Sequence, residues 1–362
     1  MNASPVHAPV ARDALVGIDQ AVPLLDGRLV PYVNLDNAAS TPAFRSVVET
    51  IDEFLPFYSG VHRGTGYKSR VSTIAFERAR ELVREFLGAD PERDVVVFAK
   101  NTTEAINRLA RALAVEDDSV VLTTMLEHHS NDLPWRARFR TVHGAPSVPR
   151  PTTREAAPFA PSRATRSPGP TFPTGRRQAA PTSSVRSRWR PRSAPSPSSG
   201  STASPPTRPS SGGTRSIAWA GVPGLTVHGP TETSNPVLGV IPFTIAGIDH
   251  GLIAAVLGYE HGVGVRSGCF CAHPYIAHLL QLDRAGGMAW VEQVRHGDKR
   301  GAPGMVRVSF GCYNDMRDVD VAVSGLEQVA AGELGADYRA DVDGSFHPVG
   351  YVEPLLFSLD GR

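Results

Sequence analysis

The sequence predicts an α/β protein with a parallel-sheet first part and a smaller α+β second part. Three observations carry this. Between residues 94 and 131 apolar runs and a helical pattern follow one another as strand, turn, helix and strand, the unit of a doubly wound sheet. Between 237 and 326 short strand and helix patterns return. Between the two, from about Arg136 to Arg215, the composition turns abruptly to Pro, Ser, Thr, Arg, Ala and Gly. The expected organisation is an arm and first large-domain part over 1–135, an aberrant disordered segment over 136–216, a small domain over 217–330 and a tail over 331–362.

Whole-chain properties narrow the function classes. A length of 362 residues suits one large and one small domain. A net charge of +1 gives no general attraction to nucleic acid or to an acidic membrane. Three cysteines do not make a disulfide framework. No apolar run approaches the roughly 20 residues that span a bilayer, and the first 30 residues lack the compact apolar core of a signal peptide. The expectation is a soluble cytoplasmic protein.

In chain order, residues 1–30 read as an irregular arm with a short helix or two. Residues 32–42 read as a short strand entering a small-residue turn that Pro42 ends, with a helix over 46–57. Residues 60–67 form a glycine-rich loop carrying His62 and Arg63, either a surface turn or a site loop. Over 71–87, Ala75, Ala79, Leu82, Val83 and Phe86 recur at helical spacing with Glu77, Arg78, Glu81 and Arg84 facing away, and Gly88 suits a C-cap. The run 94–99 reads as a strand buried on both faces. A helix follows with Ile106, Leu109, Ala110 and Leu113 on one face, and then a second buried strand over 119–125.

Ligands of doubly wound sheets sit at the carboxyl ends of the strands. The first strand end offers Thr102 and Thr103, hydroxyls at a helix N-terminus that suit a phosphate or serve as an ordinary cap. The second offers His128, a ring able to stack on a ligand or an ordinary loop residue.

Between Thr141 and Arg215 there is no Leu, Ile, Met, Asp or Lys, and Glu155 is the sole acid. Such a segment cannot bury enough apolar surface to offset the entropy of ordering it. It reads either as a basic linker, with 186–192 as a nucleic-acid or anionic-surface tail, or as a stretch of a GC-rich gene read in the wrong frame. A long structureless insert inside an α/β domain favours the second.

Beyond it, 237–244 reads as a strand, 251–258 as an apolar helix and 263–266 as a strand leading into Ser267-Gly268-Cys269-Phe270-Cys271-Ala272-His273-Pro274, a loop that presents sulfur. Residues 282–303 read as a polar surface loop. In 305–310, Val306, Val308 and Phe310 alternate with Arg307 and Ser309. Asn314 or Asp315 caps a last helix through Val319, Val323 and Leu326. The tail after Ala330 reads as a loosely packed extension. Cys269 is a small loop residue or a resolving thiol, and without a second ligand cluster the loop predicts no metal site.

These pieces in this order resemble the class V aminotransferase family of fold-type-I pyridoxal-phosphate enzymes, and within it the cysteine desulfurase and selenocysteine lyase group. The resemblance rests on Leu35-Asp36-Asn37-Ala38-Ala39-Ser40-Thr41, Asn101-Thr102-Thr103-Glu104, Glu127-His128-His129-Ser130-Asn131, Gly264-Val265-Arg266-Ser267-Gly268 with Cys271-Ala272, and Arg307-Val308-Ser309. It implies an incomplete fold-type-I large domain and pyridoxal 5'-phosphate held at Thr102, Thr103 and His128. Arg307 and Arg266 would take the carboxylate of an amino-acid substrate, and the Cys271 thiolate would attack the sulfur of L-cysteine, leaving alanine and an enzyme persulfide. It further implies a homodimer and a sulfur-acceptor protein. A class V transaminase is the alternative chemistry, although transamination needs no such thiol. The family's Schiff-base lysine, with the Asp and Gln before it, should fall in the aberrant segment. The chain's lysines are Lys68, Lys100 and Lys299, so covalent cofactor attachment and activity are expected to be absent.

Overall fold

The computed structural model describes residues 11–113, 119–144, 219, 221–229, 239–282, 290 and 292–357. All belong to one unit made of Met1–Ser147 and Pro209–Arg362. Most of the aberrant segment, with its basic run 186–192, lies outside the described residues, as do 1–10, 217–218, 237–238 and 283–289.

The arm differs from the irregular helical segment expected. A 3-10 turn over Arg12–Ala14 leads into a hairpin of β1, Ala21–Pro23, and β2, Leu29–Pro31, paired antiparallel. Asp26 closes its turn by accepting the Arg28 N–H at 3.0 Å. Leu15 and Ile18 are buried against Tyr313, so the arm is anchored by apolar contact with the second half of the chain.

β3, Val33–Asn34, is followed by the turn that carries Asp36 and Asn37. Helix α1, Arg45–Phe54, continues as a 3-10 turn to Phe57, matching the helix read over 46–57. Helix α2, Tyr67–Leu87, ends at Gly88 in the left-handed conformation, φ 64°, as its C-cap position requires. Helix α3, Thr102–Ala112, starts at Asn101, whose side chain accepts the Glu104 N–H at 2.9 Å. Thr102 and Thr103 are therefore the first helical residues and not the cap.

The burial expected in this part fails. Residues 94–99 form no strand, and Val95 and Val97 are 72% and 71% exposed. The apolar face of α2 is also uncovered, with Phe86 90% exposed. The physical reason is the same for both. An apolar run becomes a buried strand only when strands on either side complete its ladder, and no described strand pairs with 94–99. The second predicted strand is present as β4, Val120–Thr124, but it is not buried as expected, with Val120 and Leu122 45% and 79% exposed. Among the described residues its one partner is β5, Arg140–Gly144, in parallel, with α4, Leu133–Arg138, between them. Described structure thus continues eight residues past the composition change at Arg136.

The core lies in the second half. β6, Leu225–Val227, β7, Val240–Ile245, β9, Arg266–Gly268, and β10, Met305–Ser309, form an antiparallel sheet in the order β6-β7-β10-β9. β8, Val263–Gly264, instead pairs in parallel with β3. Helix α5, His250–His261, is capped by Asp249 and ends at left-handed Gly262. Helix α6, His273–Leu279, follows the cysteine loop. Helix α7, Met316–Ala331, opens with a capping box between Asp315 and Asp318. Phe243, Ile253, Leu257, Val306, Val308 and Leu326 are fully buried in one cluster between this sheet and α5 and α7. Each such side chain contributes about 1.5–3 kcal/mol by leaving water. In β10 the expected alternation is replaced by burial of Met305, Val306, Val308 and Ser309, because the strand is central and the β3 turn covers its polar face.

The chain after Ala331 is no loose tail. β11, Tyr338–Ala340, and β12, Phe346–Pro348, form an antiparallel hairpin. Tyr338 donates to Glu260 of α5 at 2.7 Å, and Tyr259 and His347 lie within hydrogen-bond distance at 2.9 Å. Among the described residues no helix is long and apolar enough to cross a membrane.

Candidate functional site

The turn that presents sulfur is built by unusual backbone. Phe270 and Cys271 both have left-handed φ, 51° and 56°, without being glycine, which costs of order 1 kcal/mol each. The Ala272 N–H donates to the Cys269 carbonyl at 2.8 Å and closes the turn. The result separates the two thiols. Cys271 is exposed, whereas Cys269 is half-buried and donates to the Pro303 carbonyl at 3.2 Å. Burial, and then the neighbouring Cys271, push the Cys269 thiol up to about 11. It is a protonated structural thiol at neutral pH.

The loop opens on a cavity of about 700 Å³. Cys269, Cys271, His128, Arg266 and Arg307 line it, with Ala38 and Ala39 from the β3 turn. Thr102 and Thr103 do not line it. The structure therefore brings together four of the six residues singled out for cofactor, substrate and thiol roles, and leaves the threonine pair exposed at the start of α3.

A carboxylate organises the two arginines. Arg307 Nη2 donates to Asp36 Oδ1 at 2.8 Å, and Arg266 Nε lies 3.1 Å from Asp36 Oδ2. The Asp36 and Arg307 side chains are 13% and 15% exposed, and Arg266 is half exposed. The Arg307 guanidinium also stands 5.2 Å over the Phe270 ring, a cation–π distance. Its buried Nε–H has no acceptor among the described residues. A guanidinium has five N–H donors, so Arg307 retains capacity for a second carboxylate. Behind it, Asn37 joins Asn34, Ser309, Tyr313 and Asn314 in a buried network that fixes the β3 turn.

The histidine loop is tied to the cysteine loop. The His129 N–H donates to the Cys271 carbonyl at 2.8 Å. The His129 and His273 rings stack at 4.6 Å with ring nitrogens 3.0 Å apart, and His273 stacks on Trp290 at 5.2 Å. Burial first, and then neighbouring positive charge, hold both imidazoles below the usual range. His128 itself is exposed, and its Nδ1 accepts the Ser130 N–H at 3.1 Å. His250 Nε2 lies 3.0 Å from the Ala302 carbonyl, which can only accept, so that nitrogen carries the proton.

Sequence reasoning missed Asp36, His250, Trp290, Lys299, Asp343 and Ser345 as parts of this site. Trp290 and Lys299 lie in the stretch read as a surface loop, and Asp343 and Ser345 in the presumed tail. Asp36 stood inside a quoted motif, but its partners are far along the chain, and no local signal joins them.

Comparison with known proteins gives a consistent likeness. The profile described as aminotransferase class-V matches residues 33–145 and 219–321. A cysteine desulfurase of Haloferax volcanii is 41% identical over 116 residues, 31% of this chain and 27% of that protein. A probable cysteine desulfurase of Aeropyrum pernix is 44% identical over 131 residues, 33% of this chain and 31% of that one. These alignments span less than a third of the relatives' length. Among solved structures, the fold resembles apo cysteine desulfurase from Thermococcus onnurineus, with a TM-score of 0.54 and 19% identity over 83% of this chain and 95% of that one. A cysteine desulfurase from Escherichia coli gives 0.51 and 18%, over 84% and 95%.

Proposed function

The chain belongs to the class V aminotransferase family, and from that premise we propose that it is a cysteine-desulfurase-type member that keeps the carboxylate and thiol half of the site and lacks the means to hold the cofactor covalently. The family implies pyridoxal phosphate, which when bound supplies the electron sink for chemistry at the amino-acid α-carbon. The residues present do not fit a covalently held cofactor. The single observation that carries this is the lysine inventory. Lys68, Lys100 and Lys299 are the chain's only lysines, and none follows a histidine as the family pattern requires. Thr102 and Thr103 stand apart from the cavity lining as well.

What remains is a binding site with a thiol. Arg307 and Arg266, oriented by Asp36, suit the carboxylate of a small amino acid. Cys271 is exposed on the same cavity, positioned as a nucleophile or sulfur carrier. The names of the relatives ascribe cysteine desulfuration to those proteins. For this chain we infer L-cysteine or a close analogue as ligand, a homodimer and a sulfur-acceptor protein as partners, and no turnover. The test is alanine formation from L-cysteine with added pyridoxal phosphate. The expected result is none above the protein-free control. Alanine production that Cys271→Ala abolishes would overturn the reading.

A second reading has its own observation. The family match stops at 145 and resumes at 219, around the composition that a wrong-frame translation produces. Reading the other frames of the gene across codons 130–225 tests it. An aspartate, a glutamine and a His-Lys pair in one frame would make the protein an ordinary desulfurase; their absence from both would leave the first reading standing.

A further inference from the structure

The β11–β12 hairpin lies beyond the family match, which ends at residue 321. Its tip nevertheless lines the cysteine-loop cavity through Asp343, Gly344 and Ser345. The tip is held in place. The Lys299 N–H donates to the Val342 carbonyl at 2.7 Å, and the Asp341 N–H to the Ser345 carbonyl at 2.8 Å. Gly344, at φ 85°, passes close to Lys299: a Cβ there would stand 3.0 Å from the Lys299 carbonyl oxygen. On the other side a Cβ on Gly251, in the first turn of α5, would stand 2.9 Å from the Gly344 carbonyl oxygen. Only backbone without side chains fits this approach.

The tip carries charge in a defined form. Asp343 accepts from Ser345 Oγ at 2.6 Å and from the Ser345 N–H at 3.0 Å. These bonds, helped by His347 and Lys299, hold its carboxyl below the usual range, so it is ionised at neutral pH. The charged side chains lining the cavity are then Arg266, Arg307, Lys299 and Asp343.

We propose that the hairpin is a charge-selective cap, in which Asp343 offsets Lys299 and confines anion attraction to the Arg266 and Arg307 end, so that the cavity favours compact ligands with one carboxylate over ligands with a second anionic group. Asp343, contributed from outside the family-matched sequence, and Lys299, within it, are thus specificity-determining residues. The inference deepens the carboxylate-site reading and rests on it.

The test uses the full chain and reads alkylation of Cys271 by peptide mass spectrometry at low salt, with bromoacetate, 2-bromosuccinate and iodoacetamide as probes. Asp343→Asn should raise the bromosuccinate rate relative to bromoacetate by about two- to threefold, the order of magnitude of one unit-charge interaction across a water-like medium. Lys299→Gln in the same chain should reverse the rise, and high salt should erase it. The ratio at Cys312, which lies outside the cavity lining, should not move. An unchanged ratio at Cys271 in Asp343→Asn overturns the proposal. So does an equal change with all three probes, which would mark a structural effect, because iodoacetamide is neutral. Failure of the underlying carboxylate reading looks different: Arg266→Gln would leave the bromoacetate to iodoacetamide ratio at its wild-type value.

Discussion

Replacing Asp36 by alanine should destabilise the fold by about 3 kcal/mol. The carboxylate is 13% exposed and bonds both arginines, at 2.8 and 3.1 Å. Removing one partner from a buried ion pair costs about 3–5 kcal/mol, because the remaining charge has no compensation. Arg307, 15% exposed with its Nε–H already unpaired, would carry that cost. Arg266 is half exposed and regains water, which places the expectation at the lower end of the range. Asp36→Asn keeps an acceptor oxygen and loses only the charge-assisted part, so about 1.5–2 kcal/mol is expected. Urea unfolding followed by tryptophan fluorescence is the assay, since Trp219 packs 5.5 Å from Phe243 in the core. A double-mutant cycle with Arg307→Ala should return a large favourable coupling, because Arg307→Ala removes the charge that Asp36 leaves stranded. A loss under about 1 kcal/mol for Asp36→Ala, or a coupling near zero, would refute the reasoning.

Other expectations follow from the same contacts. Iodoacetamide at pH 8 should modify Cys271 and spare Cys269, since a thiol raised to about 11 is ionised in roughly one molecule in a thousand at that pH; faster labelling of Cys269 would contradict the burial argument. His129 and His273 have depressed pKa values. Their neutral state is fully stabilising above the unfolded value of about 6.5. As pH falls below that value the unfolded chain takes up protons that the folded chain refuses, and stability declines. Unfolding midpoints between pH 7.5 and 5 should show the decline, and His129→Asn should make it shallower; equal slopes would count against it. Gly325→Ala should destabilise by about 1–3 kcal/mol despite a helix-propensity gain of about 1 kcal/mol. The added Cβ would stand 2.7 Å from Leu257 Cδ2, where α7 crosses α5. A stabilised variant, measured by thermal unfolding, would show that the crossing relaxes.

The second half of the chain was largely legible in the sequence because its elements are completed by neighbours of the same half. The apolar pattern of β7 meets β6 and β10, and Asp315 announces the start of α7. The first half was legible only locally. α2 and α3 form where periodicity places them, and Gly88 ends α2 as expected, yet Ile74, Phe86, Val95 and Val97 remain exposed. Periodicity reports that a face is apolar and says nothing of whether a partner exists to cover it. The site divided in the same way. Cys271, Arg266, Arg307 and His128 were readable from motifs. The hairpin was not, because Tyr338 and His347 are held by polar contacts to Glu260 and Tyr259 in α5. No hydrophobic period marks such a segment.

The central claim is that no lysine of this chain is placed to hold pyridoxal phosphate. Incubating the full chain with the cofactor, reducing with borohydride and measuring the intact mass tests it most directly. The account predicts no stoichiometric pyridoxyl adduct, with any trace spread over the surface lysines. One adduct per chain mapping to Lys100 or to Lys299 would contradict it and would name the residue that took over the role.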